Sequence, residues 1–266
     1  IGNGLTLTGT NPYIDIVDSN NDSDFTIKNE NGTFEIEDKT NSNATRLAIP
    51  SSGGVGIGIT GVSRTPLHIH EPTSATANIH LTNSTTGSGG TDGLTIWHDG
   101  DTSAGMFQRE NLPLRFGTNN TDRMRIDADG RIGVGIVPQA SQYSGWTILQ
   151  VGESAALSSN KTTGDTNTTE LSNNSYLNSN ASAYKYHHND EASRYTQAHG
   201  RHTFFVAGSG SADADITFTE KVRIDSDGVK FNGDTGAAYA LNDYEEGNWT
   251  PDLTRWTGSA WWSNTW

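Results

Sequence analysis

The sequence predicts an all-β protein with minimal helix, assembled from short repeated strand modules. Three observations predict it. Leu, Ile, Val and Phe make up only about 18% of the 266 residues, while Ser, Thr and Asn number 83 and Gly 30. That composition suits thin, turn-rich strands better than a thick core. Apolar residues recur at i and i+2, the period of a strand with one buried face, and no sustained 3.6-residue period is present. Finally, one segment occurs three times.

The repeat aligns Arg46-Leu47-Ala48-Ile49-Pro50-Ser51-Ser52-Gly53-Gly54-Val55-Gly56-Ile57-Gly58 with residues 123–135, at an offset of 77 and without a gap. A further shift of 98 brings in Lys221-Val222-Arg223-Ile224-Asp225-Ser226-Asp227-Gly228-Val229. Asp-Gly and Gly-Gly between apolar alternations mark tight turns. The glycines of Gly56-Ile57-Gly58 and Gly133-Val134-Gly135 leave one strand face bare, as crowding near a shared axis or a sharp sheet bend requires.

The elements follow in order. Residues 1–70 form a first β module, with alternations at Ile14/Ile16, Phe25/Ile27 and Phe34/Ile36, the repeat, and a strand at Leu67-His68-Ile69. Residues 71–92 read as a polar connector. Residues 93–151 form a second module, with Leu94/Ile96, Met106/Phe107, Leu112/Leu114/Phe116, the repeat, and Leu149-Gln150-Val151. Residues 152–183, rich in Ser, Thr, Asn and Ala, read as a polar linker or insertion anchored by Leu157, Leu171, Tyr176 and Leu177, with a short helix near Glu153–Ser158. Residues 184–239 form a third module, with Tyr184/Tyr186, Tyr195 and Phe204/Val206 ahead of its repeat and no strand after it. Residues 240–266 open a Trp-rich distal domain.

Each module exposes an apolar edge too thin to stand alone, so three in line predict an elongated array with stability summed along its length. The scarcity of apolar residues predicts that other chains supply the missing burial. Three chains around one axis would bury Ile49, Ile57, Ile126, Val134 and Ile224, the candidate trimer core, and leave the Ser/Thr/Asn faces wet.

Composition also excludes function classes. No run of 18 apolar residues offers a transmembrane helix, so no membrane insertion is expected. The absence of cysteine excludes a disulfide scaffold, a thiolate metal site and a cysteine nucleophile. A formal net charge of −14 argues against nucleic acid as a partner. Residue 1 is Ile and no signal peptide is visible, so a fragment, a processed product or the ordered part of a longer protein is expected.

At these residues the chain resembles the tail-fibre proteins of tailed bacteriophages, of the marine or cyanophage-like type. The run Gly54-Val55-Gly56-Ile57-Gly58 with Pro66-Leu67-His68-Ile69 is similar to the family's G-x-V-G-I-G-T-x-x-P-x-x-x-L-H-V element, here with Ile59 inserted before Thr60 and with Ile136-Val137-Pro138 at the corresponding place in copy two. Arg123-Met124-Arg125-Ile126-Asp127-Ala128-Asp129-Gly130 resembles its leader. Residues 240–251, Ala-Leu-Asn-Asp-Tyr-Glu-Glu-Gly-Asn-Trp-Thr-Pro, are similar to the segment that opens a C-terminal domain in such fibres. The resemblance implies a homotrimeric β-rich fibre with a β-prism- or β-sandwich-like shaft, a structural and adhesive rod in the virion tail for host attachment. It implies as partners further copies of the chain, other tail or baseplate proteins, and a bacterial surface glycan or protein. A receptor-binding tip is expected beyond residue 266 or from another protein. The alternatives are a polysaccharide-depolymerising tailspike, and a bacterial surface adhesin or filament subunit of the same rod architecture.

No enzyme activity, catalytic residue, metal or cofactor is expected. The acidic pairs Asp127/Asp129, Asp225/Asp227, Asp99/Asp101 and Asp213/Asp215 have the composition of a glycosidase site, which needs two carboxylates at a set separation. The first two sit in the repeated turn, however, and copy one has Pro50 and Ser52 in their place. An EF-hand loop starting at Asp127 would need Glu at its twelfth position, which is Pro138. His68 and His70 share a strand face and could ring a trimer axis around a metal, but Leu67 and Ile69 should point inward and leave them wet. His187 and His188, being adjacent, face opposite sides. Trp249, Trp256, Trp261, Trp262 and Trp266 crowd the last 18 residues and form a candidate receptor or partner surface, or an interface core at the start of the distal domain.

Overall fold

The computed structural model describes residues 4–20, 24–61, 65–73, 75–100, 103–160, 167–241, 254–256 and 261–263. The fold is all-β; among the described residues the helical content is one 3-10 turn, Ala237–Tyr239. The chain divides into two units, Ile1–Leu112 and Pro113–Trp266.

The first unit holds two sheets. Strands β1 (Tyr13–Ile16), β2 (Phe25–Glu30), β3 (Thr33–Asp38), β4 (Ala44–Pro50), β5 (Val55–Ile57) and β6 (Leu67–Ile69) lie side by side in chain order. The first five are antiparallel, and β6 runs parallel to β5. Strands β7 (Ala77–Leu81), β8 (Leu94–His98) and β9 (Ala104–Gln108) form an antiparallel three-stranded sheet.

The second unit continues with β10 (Leu114–Thr118), β11 (Thr121–Ile126), β12 (Ile132–Val134), β13 (Trp146–Val151), β14 (Ala155–Asn160) and β15 (Thr168–Asn173). A separate hairpin, β16 (Ser175–Leu177) with β17 (Tyr184–Tyr186), leaves the sheet before β18 (Asp190–Ala198), β19 (Arg201–Gly210), β20 (Thr219–Asp225) and β21 (Gly228–Phe231) rejoin it. The result is ten strands in the order β10-β11-β12-β13-β14-β15-β18-β19-β20-β21, antiparallel except for β12 and β13. Strands β22 (Thr254–Trp256) and β23 (Trp261–Ser263) form a final hairpin.

Turn chemistry explains the meanders. Asn31-Gly32 joins β2 to β3 with φ of 51° and 80°, and Asn119-Asn120 joins β10 to β11 with φ of 51° and 55°. Two consecutive left-handed residues give the mirror-image turn whose twist matches paired strands.

The repeat reappears in three dimensions. Shifting β5 by 77 residues lands on β12, and each takes a parallel partner in one register. Val55, Gly56 and Ile57 face Leu67, His68 and Ile69, while Ile132, Gly133 and Val134 face Leu149, Gln150 and Val151. In copy three Leu241 instead makes an antiparallel bridge to Val229. The bare glycine faces have a cause within the chain. A Cβ on Gly133 would lie 2.4 Å from the Ile136 carbonyl oxygen, and one on Gly58 would lie 2.3 Å from that of His70. At these two positions the chain's own following segment crowds the bare face, whereas a Cβ on Gly135 would meet no atom within 4 Å.

The polar stretches carry more strand than expected. Residues 152–183, expected as a polar linker or insertion, carry the strands β14, β15 and β16, and the helix expected near Glu153–Ser158 is strand. Leu157 pairs with Leu171 on one face, while Ser158, Glu170 and Ser172 are buried on the other. A strand that buries Ser and Glu reads as linker because its polar residues hold the positions normally taken by aliphatics. The connector 71–92 likewise contains β7, and the second module is divided between the two units at Leu112/Pro113.

Candidate interface

Directly paired residues project from the same face of a sheet, so the register shows what each face carries. In the six-stranded sheet one row runs Ile14, Ile27, Ile36, Leu47, Ile57, Ile69, one aliphatic side chain per strand. In the ten-stranded sheet the corresponding row runs Leu114, Ile126, Ile132, Leu149, Leu157, Leu171, Tyr195, Phe204, Val222, Phe231, again without a gap. The three-stranded sheet repeats the arrangement with Ile79, Ile96 and Met106.

None of these nineteen side chains is buried in the single chain. Leu157, Leu171, Phe204 and Phe231 are exposed by 48%, 55%, 44% and 47%. Soluble monomers rarely leave so long an apolar stripe in water. The five candidate core residues lie on these same faces. Ile57 and Ile126 are members of the rows. Ile49 is paired with Phe34, Val134 with Met124 and Val151, and Ile224 with Val229. Ile126 is half-buried and the other four are exposed.

On the six- and ten-stranded sheets the opposite faces carry charged side chains paired within the chain. Lys28 donates to Glu37 at 2.8 Å and lies 3.2 Å from Glu35, which is itself buried. Burial pushes the Lys28 ammonium down, but hydrogen bonds to Glu30, Glu37 and Glu35 outweigh it and hold the group well above the usual lysine range. In the second unit Arg194 donates to Glu170 at 3.0 Å and stacks 4.2 Å from the Tyr184 ring, 4.4 Å from Phe205 and 4.8 Å from Phe218. Tyr184 also donates to Glu170, at 2.8 Å. Burial raises the Glu170 carboxyl above its ordinary range, against the pull of Arg194. The six- and ten-stranded sheets thus each set a face of paired charges against an apolar face that their own chain leaves unburied.

The acidic pairs are built into turns. Arg131, itself buried, donates to Asp127 at 2.7 Å, to Asp129, and to the Ala140 carbonyl at 3.1 Å. Lys230, also buried, donates to Asp225 at 2.8 Å and to Asp227 at 2.7 Å, and holds the Asp225 carboxyl below the usual range. Copy one has Pro50, Ser52 and Gly54 where copy two has Asp127, Asp129 and Arg131, so carboxylates and cation are replaced together. Asp213 accepts from the Tyr176 hydroxyl at 2.7 Å, and Asp215 pairs with Lys185 at 2.8 Å. Asp99 accepts from the Ser103 amide at 2.9 Å; Asp101 lies outside the described residues.

His68 stands opposite Gly56 on the polar face, its ring centroid 6.1 Å from that of His70. Among the described residues no group of three or more His, Asp or Glu side chains is gathered to hold a metal. His187 packs 4.9 Å from the Tyr176 ring, and His188 lies 3.6 Å from the Glu153 carboxylate. Of the tryptophans, Trp256 and Trp261 face each other in the register of the last hairpin and Trp262 faces Arg255; Trp249 and Trp266 lie outside the described residues.

Leu157 and Leu171, expected as anchors of a linker, sit mid-row on the open apolar face. The signal that finds them is alternation, since Ala156-Leu157-Ser158 and Glu170-Leu171-Ser172 each set one leucine against two small or polar neighbours. Neither models of known protein families nor curated protein sequences match the chain.

Proposed function

We propose that the chain is a structural and adhesive protein, the shaft of a homotrimeric phage tail fibre that attaches the virion to the bacterial surface. The observation that carries the reading is the unbroken apolar row on the six-, ten- and three-stranded sheets, none of whose side chains is buried in a single chain. Copies of the same chain are the economical cover, because the open face is alike in all three sheets. Burying a fully exposed Val, Leu, Ile or Phe side chain contributes about 1.5–3 kcal/mol; the row side chains are half covered already, so each gains a part of that, summed along the rod. The resemblance of the repeat and of residues 240–251 to tail fibres supplies the biological setting.

In this reading the rod presents a binding surface, and several fibres acting together turn weak contacts into firm attachment. The net charge of −14 keeps neighbouring rods apart. The test is retention of the fluorescently labelled full chain by a panel of bacterial strains. Retention by a subset of strains, lost when the protein is dissociated, supports attachment. Retention by none of them overturns it.

A further inference from the structure

The sheet β7–β9 differs from the other two on the face away from its aliphatic row. Where they carry salt bridges, it carries two aromatic rings. The Trp97 indole lies across strand β9, for a Cβ on Gly105 would meet it at 2.7 Å. The Phe107 ring stacks with it, with centroids 5.8 Å apart and planes within 10° of parallel. Phe107 is 49% exposed. The two rings floor an open groove of about 510 Å³ whose walls include Asn78, His80, Thr95 and Arg109. The walls are held in place. His80 Nε2 is bonded to the Asp92 carbonyl, Thr95 is buried, and the Arg109 guanidinium lies 5.3 Å from the Phe107 centroid.

We propose that this groove binds a neutral carbohydrate. A sugar ring has a C–H face that packs on aromatic carbon and a rim of hydroxyls that both donate and accept. The near-parallel rings offer the first surface. The Asn78 amide, the Thr95 hydroxyl and the His80 imidazole offer both hydrogen-bond roles, and Arg109 adds donors. A few convergent polar groups over an apolar floor, in a space of a few hundred Å³, is the usual form of a small-ligand site. Charge selects against polyanions: Asp99 lines the groove with Arg109, and the chain as a whole is acidic. That the glycan belongs to a bacterial surface rests on the attachment role proposed above; the site's chemistry does not.

The test is an array of neutral hexose and N-acetylhexosamine oligosaccharides probed with the labelled full chain, with the solution mass of each protein measured in parallel. The wild type is expected to bind a subset of the array. Phe107→Ala and Asn78→Ala are each expected to lower that binding at least tenfold with the mass unchanged. If Phe107→Ala alters the mass, Asn78→Ala decides. Failure of the wild type to bind any neutral oligosaccharide overturns the site, as does undiminished binding by the variants. The two proposals fail separately: monomeric mass with glycan binding removes the trimer and keeps the groove, and trimeric mass without glycan binding does the reverse.

Discussion

Leu171 is 55% exposed in one chain, yet it sits mid-row between Leu157 and Tyr195. Its truncation separates two worlds. If the row is covered by other copies, Leu171→Ala costs about 2–5 kcal/mol per chain, as for a core leucine. If the row stays in water, the cost is within about 0.5 kcal/mol. Denaturant unfolding of the two proteins at equal concentration reads the difference, and the larger value is expected. Arg131 is a different kind of residue, buried and bonded to both carboxylates of its turn. Arg131→Met is expected to lower stability by about 2 kcal/mol through lost charged hydrogen bonds, and a loss of polysaccharide binding or cleavage without loss of stability would contradict that role. His187 gives a pH signature. Burial holds its imidazole below the ordinary range, and His188 beside it adds to the effect. The unfolded chain therefore takes up a proton that the native chain refuses, so stability present above about pH 6.5 falls as pH falls. The melting temperature is expected to drop less between pH 7 and 5 in His187→Phe than in the wild type; equal slopes would contradict it.

At the scale of elements, the recurring device is a short antiparallel hairpin followed by one parallel strand, seen in β4–β5–β6 and β11–β12–β13. A central glycine allows the connecting segment to fold back over the middle strand. Gly133→Ala would drive a Cβ against the Ile136 carbonyl and the Pro138 ring, and a loss of about 1–3 kcal/mol is expected from overpacking, measured by thermal unfolding. An unchanged melting temperature would contradict the close approach. Much of this was legible in the sequence. The offset of 77 aligned β5 with β12 to the residue, and the partner strands at Leu67–Ile69 and Leu149–Val151 were marked by their apolar ends. The parallel direction of those partners left no local signal, because a parallel pair is set by a crossover rather than by a hairpin turn. Strands β14–β16 were hidden for another reason. Most of their buried side chains are Ser, Glu and Ala, with Tyr176 the one large ring, and a hydropathy pattern finds strands that bury aliphatics. The aromatic groove was equally hidden, since Trp97 and Phe107 meet only diagonally across paired strands.

For the whole molecule, the balance of faces is the main fact. Seven hydrophobic residues are buried among those described and four of them are alanine, while the large aliphatics line open faces. That imbalance is what the proposed assembly of several copies would relieve. Whether other copies close those faces is read from the mass in dilute solution, by light scattering. A mass near three times the 28.6 kDa of one chain is expected. A stable monomer of 28.6 kDa, with all its rows in water, would contradict it.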